Sequence, residues 1–186
     1  MPSSISPDIA GLRALSHPVR LRMLGLLRTE GPATATTLAA RLDLNTGATS
    51  YHLRQLAQHG FIEEDAERGN GRDRWWRASH EATRTDVGDR EIGGEQLAAY
   101  LATVAQLYAD RMRAAVAELP FLPREWRTVG TLSDWEVRLT AAQADALVGR
   151  LTAMVEETDA SDDPDARPFS VNVNAFVRPG LPWDEQ

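Results

Sequence analysis

Two short helical patterns joined by a tight turn constrain the fold of this chain more than any other feature. The first pattern covers residues 34–42, residues 43–44 form the turn, and the second pattern covers residues 46–59. Asn45 is a favourable N-cap, and Gly60 supplies the left-handed residue that commonly closes a helix. Two helices with this spacing, the second capped at both ends, predict a helix-turn-helix. The positions expected to face inward on the second helix are Thr49, Leu53 and Leu56.

Two further helices are predicted in front of this motif. The first covers residues 8–16. The second begins at Pro18, because proline is well tolerated at the first position of a helix. Gly31 and Pro32 are expected to end it. The apolar positions that recur on its inner side are Val19, Met23, Leu26 and Leu27.

A glycine-tipped hairpin is predicted after the motif. Asn70-Gly71 favours a tight turn with positive φ angles, and strand-forming residues flank it at 61–66 and 74–78. This hairpin predicts the wing of a winged helix-turn-helix. Trp75 and Trp76 alternate across the second strand, so one is expected in the core and the other against the long helix over residues 94–119 that is expected to form the dimer. We interpret both as packing residues.

Three motifs stand in order between about residues 10 and 80. They are His17-Pro18-Val19-Arg20-Leu21-Arg22-Met23-Leu24, then Leu38-Ala39-Ala40-Arg41-Leu42, then Ser50-Tyr51-His52-Leu53-Arg54-Gln55-Leu56-Ala57-Gln58-His59-Gly60-Phe61-Ile62. With these motifs the segment resembles the ArsR family of winged helix-turn-helix transcriptional regulators. The resemblance implies a dimeric repressor that releases DNA when an effector binds.

The resemblance does not extend to metal sensing. The founding metal sensors of the family carry cysteines in the first helix of the motif, or histidine and acidic ligands on the dimerisation helix. Here residues 34–42 contain no cysteine, and residues 91–119 contain neither cysteine nor histidine. No metal and no cofactor are therefore expected.

A DNA-contacting face is expected on the second helix of the motif, opposite its inward positions. Arg54 is the charged side chain of that face, and arginine can contact guanine or phosphate through two donors. A solvated helix face is the alternative. The wing arginines are expected to contact phosphate or the minor groove, unless the acids at 63–67 and 73 hold them in surface ion pairs. The expected DNA-contacting residues are Asn45, Thr46, Gly47, Ser50, Tyr51, Arg54, Arg68, Arg72 and Arg74.

Charge and composition favour the same interpretation. Residues 11–60 carry six arginines against Glu30 and Asp43, whereas residues 91–186 carry eight arginines against 16 acids. Only the front half is therefore suited to phosphate. The chain has no cysteine, which excludes disulfides and thiolate metal sites. With no apolar run of membrane-spanning length, no secretory signal and no catalytic motif, we expect a cytoplasmic protein that is not an enzyme.

The rear half is expected to dimerise and to offer space for an effector. Residues 81–93 are polar and predict a connector. A long helix over residues 94–119 carries a near-heptad apolar stripe suited to pairing with a second copy; packing within its own chain is the alternative. Residues 135–139 and 169–177 alternate as strands do and flank an amphipathic helix that begins with a capping box at Thr140. This pattern predicts a small β–α–β unit, whose aromatic residues either line a ligand pocket or form a core.

The sequence thus predicts an α+β protein, mainly α. A winged helix-turn-helix at residues 8–80 precedes a connector at 81–93 and a dimerisation and effector-binding region at 94–186. The expected function is sequence-specific binding of double-stranded DNA by a homodimeric transcriptional regulator. Such a protein would repress at a palindromic operator, with release by a small-molecule effector. The alternative is a winged helix that binds another protein and has no affinity for duplex DNA.

Overall fold

A computed structural model describes most of the 186-residue chain. The described residues are 4–68, 73–83, 94–159, 161–180 and 182. They divide into two compact units, and the boundary falls after Thr128. The turn predicted around Asn70-Gly71 and most of the predicted connector lie outside the described residues.

The helices of the first unit include the four predicted before the wing and the long helix behind it. Within the described residues the helices are α1 (Ile9–Leu15), α2 (Pro18–Thr29), α3 (Ala35–Leu42), α4 (Thr46–Gln58), α5 (Gly94–Glu118), the short α6 (Arg124–Arg127) and, in the second unit, α7 (Ala141–Glu156). A single 3-10 turn, Leu119–Phe121, follows α5.

The strands are short and belong to the first unit. They are β1 (Ser4–Ile5), β2 (Ala33–Thr34), β3 (Ile62–Glu64), β4 (Trp75–Ala78) and β5 (Ala82–Thr83). β2, β4 and β3 form an antiparallel sheet in that order, and β1 pairs with β5 in parallel. Strands β3 and β4 are the wing hairpin, with Ile62 opposite Ala78 and Glu64 opposite Trp76. The architecture is therefore the predicted α+β winged helix.

Local capping determines where the motif helices begin and end. The Thr34 hydroxyl and the Asn45 Oδ1 each accept a hydrogen bond from the backbone N–H three residues on, at 3.1 Å and 2.8 Å. Gly60 has φ of 72°, the left-handed conformation that favours glycine. This conformation lets the Phe61 N–H donate to the Leu56 carbonyl at 3.1 Å and directs the chain from α4 into the wing.

The core of the first unit lies between α1, α2, α4 and the sheet. The inward positions predicted on α4, Thr49, Leu53 and Leu56, are fully buried. Helix α2 buries more than one stripe, because it packs against α1, α4, α5 and β4. The buried apolar residues of this core are Leu12, Ala14, Leu15, Leu21, Met23, Leu24, Leu27, Leu38, Leu53, Leu56, Phe61, Ile62, Trp76 and Tyr100.

Helix α5 uses part of its apolar stripe within its own chain. Tyr100 is buried, and the Thr103 hydroxyl donates to the Ser16 carbonyl at 3.0 Å. Leu101 and Leu119 are 40% and 42% exposed. Part of the apolar stripe is therefore buried against the core of the first unit, and the rest of it is exposed. The stripe residues packed against the core are Leu97, Val104 and Leu107.

The second unit contains the predicted helix but not the predicted strands. Helix α7 begins at Thr140, whose hydroxyl accepts from the Gln143 N–H while the Gln143 side chain accepts from the Thr140 N–H. The β–α–β prediction is wrong in its strands, because residues 135–139 and 169–177 form no strand and pair with no other described segment. Alternating apolar side chains favour a strand, but a strand forms only where a neighbouring segment supplies the backbone hydrogen bonds.

The aromatic side chains behind α5 form neither the predicted pocket nor the predicted core. The exposed fractions are 85% for Phe121, 80% for Trp135, 59% for Phe169 and 79% for Phe176. Side chains this exposed contribute little packing energy within their own chain.

Candidate nucleic-acid interface

The outward face of α4 carries the residues that the sequence selected for DNA contact. Thr46, Gly47, Tyr51 and Arg54 are exposed, and Ser50 is half-buried. Because the opposite face of the same helix is fully buried, the orientation of these side chains is fixed by the core. The structure therefore presents them together on one surface of the first unit.

The start of α4 is favourable for a phosphate. Asn45 is exposed, and its Oδ1 is occupied by the Ala48 N–H, which leaves the two amide donors of Asn45 pointing away from the cap. The first-turn N–H groups and the helix dipole create positive potential at this end. Helix α4 contains no acidic residue that would oppose it.

Among the described residues, the Arg54 guanidinium is not engaged by another side chain, unlike those of Arg41 and Arg77. Within the described residues its guanidinium makes no ion pair and no hydrogen bond. Arg41, by contrast, pairs with Glu30, and Arg77 pairs with Glu63 at 2.7 Å. Arg54 is thus available to a ligand without breaking an existing contact.

The two wing arginines within the described residues, Arg68 and Arg74, have acidic partners. Arg68 lies 3.6 Å from an Asp65 carboxylate oxygen and 5.8 Å above the Trp75 ring. Arg74 pairs with Glu64 at 3.1 Å. These contacts are the surface ion pairs that the sequence left open as an alternative. The Arg74–Glu64 pair is exposed on both sides, and such a pair is worth only ~0–1 kcal/mol, so a phosphate can replace its carboxylate. The Asp65 side chain is only 13% exposed, so the Arg68 contact is the less readily exchanged of the two.

Arg72, which the sequence also predicts to contact DNA, lies outside the described residues. The two tryptophans behave as packing residues. Trp76 is 7% exposed and belongs to the core, while Trp75 is half-buried opposite Thr34 of β2.

A histidine pair behind α4 was not selected from the sequence. The rings of His17 and His52 lie 4.6 Å apart between centroids, and His17 Nδ1 accepts a hydrogen bond from the Val19 N–H at 3.2 Å. Arg20 lies nearby and donates to the Ala14 carbonyl at the end of α1. Because the two histidines belong to the start of α2 and the middle of α4, only the tertiary fold brings them together. No sequence pattern signals this pair.

Burial lowers the pKa of both histidines, and the positive charge of Arg20 lowers it further. His17 also raises the cost of charging His52. Protonation of His17 at Nδ1 would remove the lone pair that accepts from Val19. The pair is therefore held in its neutral form in the folded protein.

We expect the free energy of unfolding to fall as the pH is lowered from about 7 to about 5.5. The reason is that the unfolded histidines take up protons near pH 6.5, whereas the folded ones have lowered pKa values. The stabilisation is complete above 6.5 and is lost as the pH falls through the folded pKa values. Urea unfolding midpoints of the wild type and of His52→Gln, measured across this range, check it. Equal pH dependence in the two proteins would contradict the assignment.

Arg28 is a second residue that the sequence did not single out. Its Nε donates to the His80 carbonyl at 2.8 Å, and its Nη2 donates to the Thr83 hydroxyl at 3.0 Å. Burial lowers the pKa of Arg28. This side chain ties α2 to the strand that leaves the wing, and so it positions the wing relative to the core. It is a structural residue and not part of the exposed surface.

The described residues offer little to a metal or a membrane. Among them, no group of three or more histidine, cysteine, aspartate or glutamate side chains is placed to hold a metal ion. No helix in the described part of the chain has the length and hydropathy needed to cross a bilayer.

The fold and this surface define a class of protein. Helices α3 and α4 are joined by a three-residue turn and are followed by the β3–β4 wing, which is the winged form of the helix-turn-helix. This is the fold of DNA-binding domains in transcriptional regulators.

Comparison with known proteins agrees with that class. Residues 15–65 match a family model described as a helix-turn-helix domain, which spans α2 to β3 and less than half of the chain. No curated protein matches the sequence. The chain is similar to a solved structure of ZitR from Lactococcus lactis, a double mutant in the apo form, at 15% identity. That match covers 76% of this chain and 83% of the other with a TM-score of 0.35, which is too low to support further comparison.

Proposed function

We propose that this chain is a sequence-specific DNA-binding transcriptional regulator of the ArsR type. The observation that carries the proposal is the exposed face of α4, where Asn45 and Arg54 flank a helix surface free of acidic residues. Inserted into a major groove, such a face presents donors to base edges and to phosphate. In this proposal the contacts come from the residues expected from the sequence, namely Asn45, Thr46, Gly47, Ser50, Tyr51, Arg54, Arg68, Arg72 and Arg74.

The regulator is proposed to act as a homodimeric repressor. A palindromic operator is read by two recognition helices related by a two-fold axis, which requires two copies of the chain. The exposed apolar side chains of α5, Leu101 and Val116 among them, support pairing through this helix. In this arrangement residues 8–80 bind DNA, 81–93 connect, and 94–186 dimerise and receive an effector.

Release by a small-molecule effector is part of the proposal. A cavity of about 280 Å³ lies between α2 and α5 in the first unit, and apolar and polar residues line it in equal number. The polar ones are Arg22, Thr103, Gln106 and Asp110. An effector there would contact both the helix that packs on α4 and the proposed dimer helix. The effector can change DNA binding only if its affinities for the DNA-binding conformation and for the non-binding conformation of the protein differ.

The experiment that tests DNA binding is selection of duplexes from a random library by the purified protein. An enriched inverted repeat is the expected result. Affinity for that repeat should then fall steeply with salt, because each phosphate contact releases a counterion. No enrichment at low salt by the folded protein would contradict the proposal.

A second function is favoured by one observation. Arg68 and Arg74 are already paired with Asp65 and Glu64, as in a wing that does not meet phosphate. In that case the winged helix would bind another protein and show no affinity for any duplex. The salt series separates the two functions, since a chain without duplex affinity has no salt dependence to measure.

A further inference from the structure

Two segments of the second unit belong to no helix and no strand. We refer to residues 131–139 as segment A and to residues 167–177 as segment B. Neither makes a backbone–backbone hydrogen bond to another described residue. Residues 135–139 of segment A and 169–175 of segment B nevertheless alternate apolar and polar side chains in the manner of a strand. A row of unpaired N–H and C=O groups is a template for another strand.

The second unit also exposes most of its apolar side chains. In segment A, Trp135, Val137 and Leu139 are 80%, 63% and 43% exposed, and Leu132 is 71% exposed. Contiguous apolar surface of this kind marks a place where another chain packs. Helix α7 has the same property along its apolar stripe, formed by Leu147, Val148, Leu151, Met154 and Val155.

We propose that segment A pairs antiparallel with segment A of a second copy of this chain, about a two-fold axis at Val137. In this register Glu136 lies opposite the partner's Arg138, and Arg138 lies opposite the partner's Glu136. Two ion pairs therefore form on one face of the strand pair. On the other face, Trp135 lies opposite the partner's Leu139, twice by symmetry.

This self-complementarity is the reason for choosing a second copy as the occupant. A two-fold interface requires a surface that matches itself, and the spacing of Glu136 and Arg138 about Val137 meets that requirement. Within the chain, Glu136 contacts Arg178 at 3.3 Å, with both side chains more than two-thirds exposed. A pair so exposed to solvent is readily exchanged for the partner's Arg138.

The inference extends the homodimer of the proposed function with a contact outside α5. It does not depend on DNA, since every group it uses lies in the second unit. In one copy of the second unit, the backbone groups of segment A are unpaired among the described residues and its apolar side chains are exposed. Segment A pairing would bring those of two copies into contact.

A single engineered cysteine tests the pairing locally. The chain contains no cysteine, so Val137→Cys provides a single thiol. In the proposed pair this thiol lies on the two-fold axis and faces the same thiol of the second copy. Its oxidation is expected to give a covalent dimer about tenfold faster than oxidation of Arg150→Cys, an exposed control on α7. Equal rates in the two proteins would overturn the proposal. A dimer formed through α5 would raise the effective concentration of both thiols, so the ratio of the two rates is the readout.

Charge variants in the Val137→Cys background test the register. E136R or R138E alone places like charges opposite each other and is expected to slow cross-linking. An equimolar mixture of the two is expected to restore it, because every position then faces an opposite charge. R178A, which removes the intrachain partner of Glu136, is expected to leave cross-linking unchanged. Failure of the mixture to recover would contradict this register.

Duplex binding, measured on the same samples, distinguishes failure of the segment A pairing from failure of the proposed function. Unchanged duplex binding with no preferential cross-linking overturns only the segment A pairing. Preferential cross-linking with no duplex binding overturns only the proposed function.

Discussion

Replacing Arg54 by alanine is expected to weaken binding to the selected operator by ~1–3 kcal/mol, or roughly 5- to 150-fold. Arg54 is exposed on the outward face of α4 and makes no ion pair within the described residues, so its loss removes a DNA contact and leaves the fold intact. Affinities of wild type and Arg54→Ala for operator and for random duplex, at one salt concentration, measure the effect.

The matched control for this variant is Arg167→Ala. Arg167 is also an exposed arginine, but it lies in the second unit and donates only to the nearby carbonyls of Pro164 and Ala166. It changes the net charge by the same amount and should leave operator affinity unchanged. Equal affinity of wild type and Arg54→Ala for the operator would show that the reading face has been placed on the wrong residues.

Replacing Phe61 by alanine is expected to lower the free energy of unfolding of the first unit by ~3–5 kcal/mol. Phe61 is 1% exposed and stands at the junction of α4 and the wing. Its ring also lies close to Gly11 of α1, where an added Cβ would be 3.2 Å from Phe61 Cζ. Truncation therefore leaves a cavity between three elements. Urea unfolding followed by tryptophan fluorescence, with Trp76 in the same core, measures the loss.

Phe121→Ala provides the comparison for Phe61→Ala. The same atoms are removed, but Phe121 is 85% exposed, so the free energy of unfolding should change by only about 0.5 kcal/mol or less. Similar losses in the two variants would mean that Phe121 is covered in solution. Retention of full stability by Phe61→Ala would contradict the described packing of α4 against α1.

The parts of the fold that follow from local chemistry could be predicted from the sequence. The start of α2 at Pro18, the caps Thr34 and Asn45, and the close of α4 at Gly60 each depend on a residue and its immediate neighbours. Helical periodicity then determines which side of α4 is buried. The exposed surface with Arg54 follows from that side without any tertiary information.

The parts that depend on distant neighbours could not be predicted in this way. Residues 135–139 have the alternation of a strand, but alternation does not reveal whether a pairing strand exists in the same chain. The approach of His17 to His52 depends on how α2 crosses α4. Likewise, the partners of the wing arginines depend on the register of β3 and β4, which sets Glu64 opposite Trp76.

The acid-paired wing has a consequence for how the protein would search a genome. Asp65 and Glu64 pair with Arg68 and Arg74, so in the proposed function these two wing arginines would offer little net attraction to an arbitrary stretch of duplex. Non-specific sites in a genome far outnumber operators. A lower affinity for the non-specific sites therefore raises the fraction of the protein that is bound at the operator. These carboxylates would lower the total affinity for DNA and raise the specificity for the operator. That specificity would then depend on contacts made by α4.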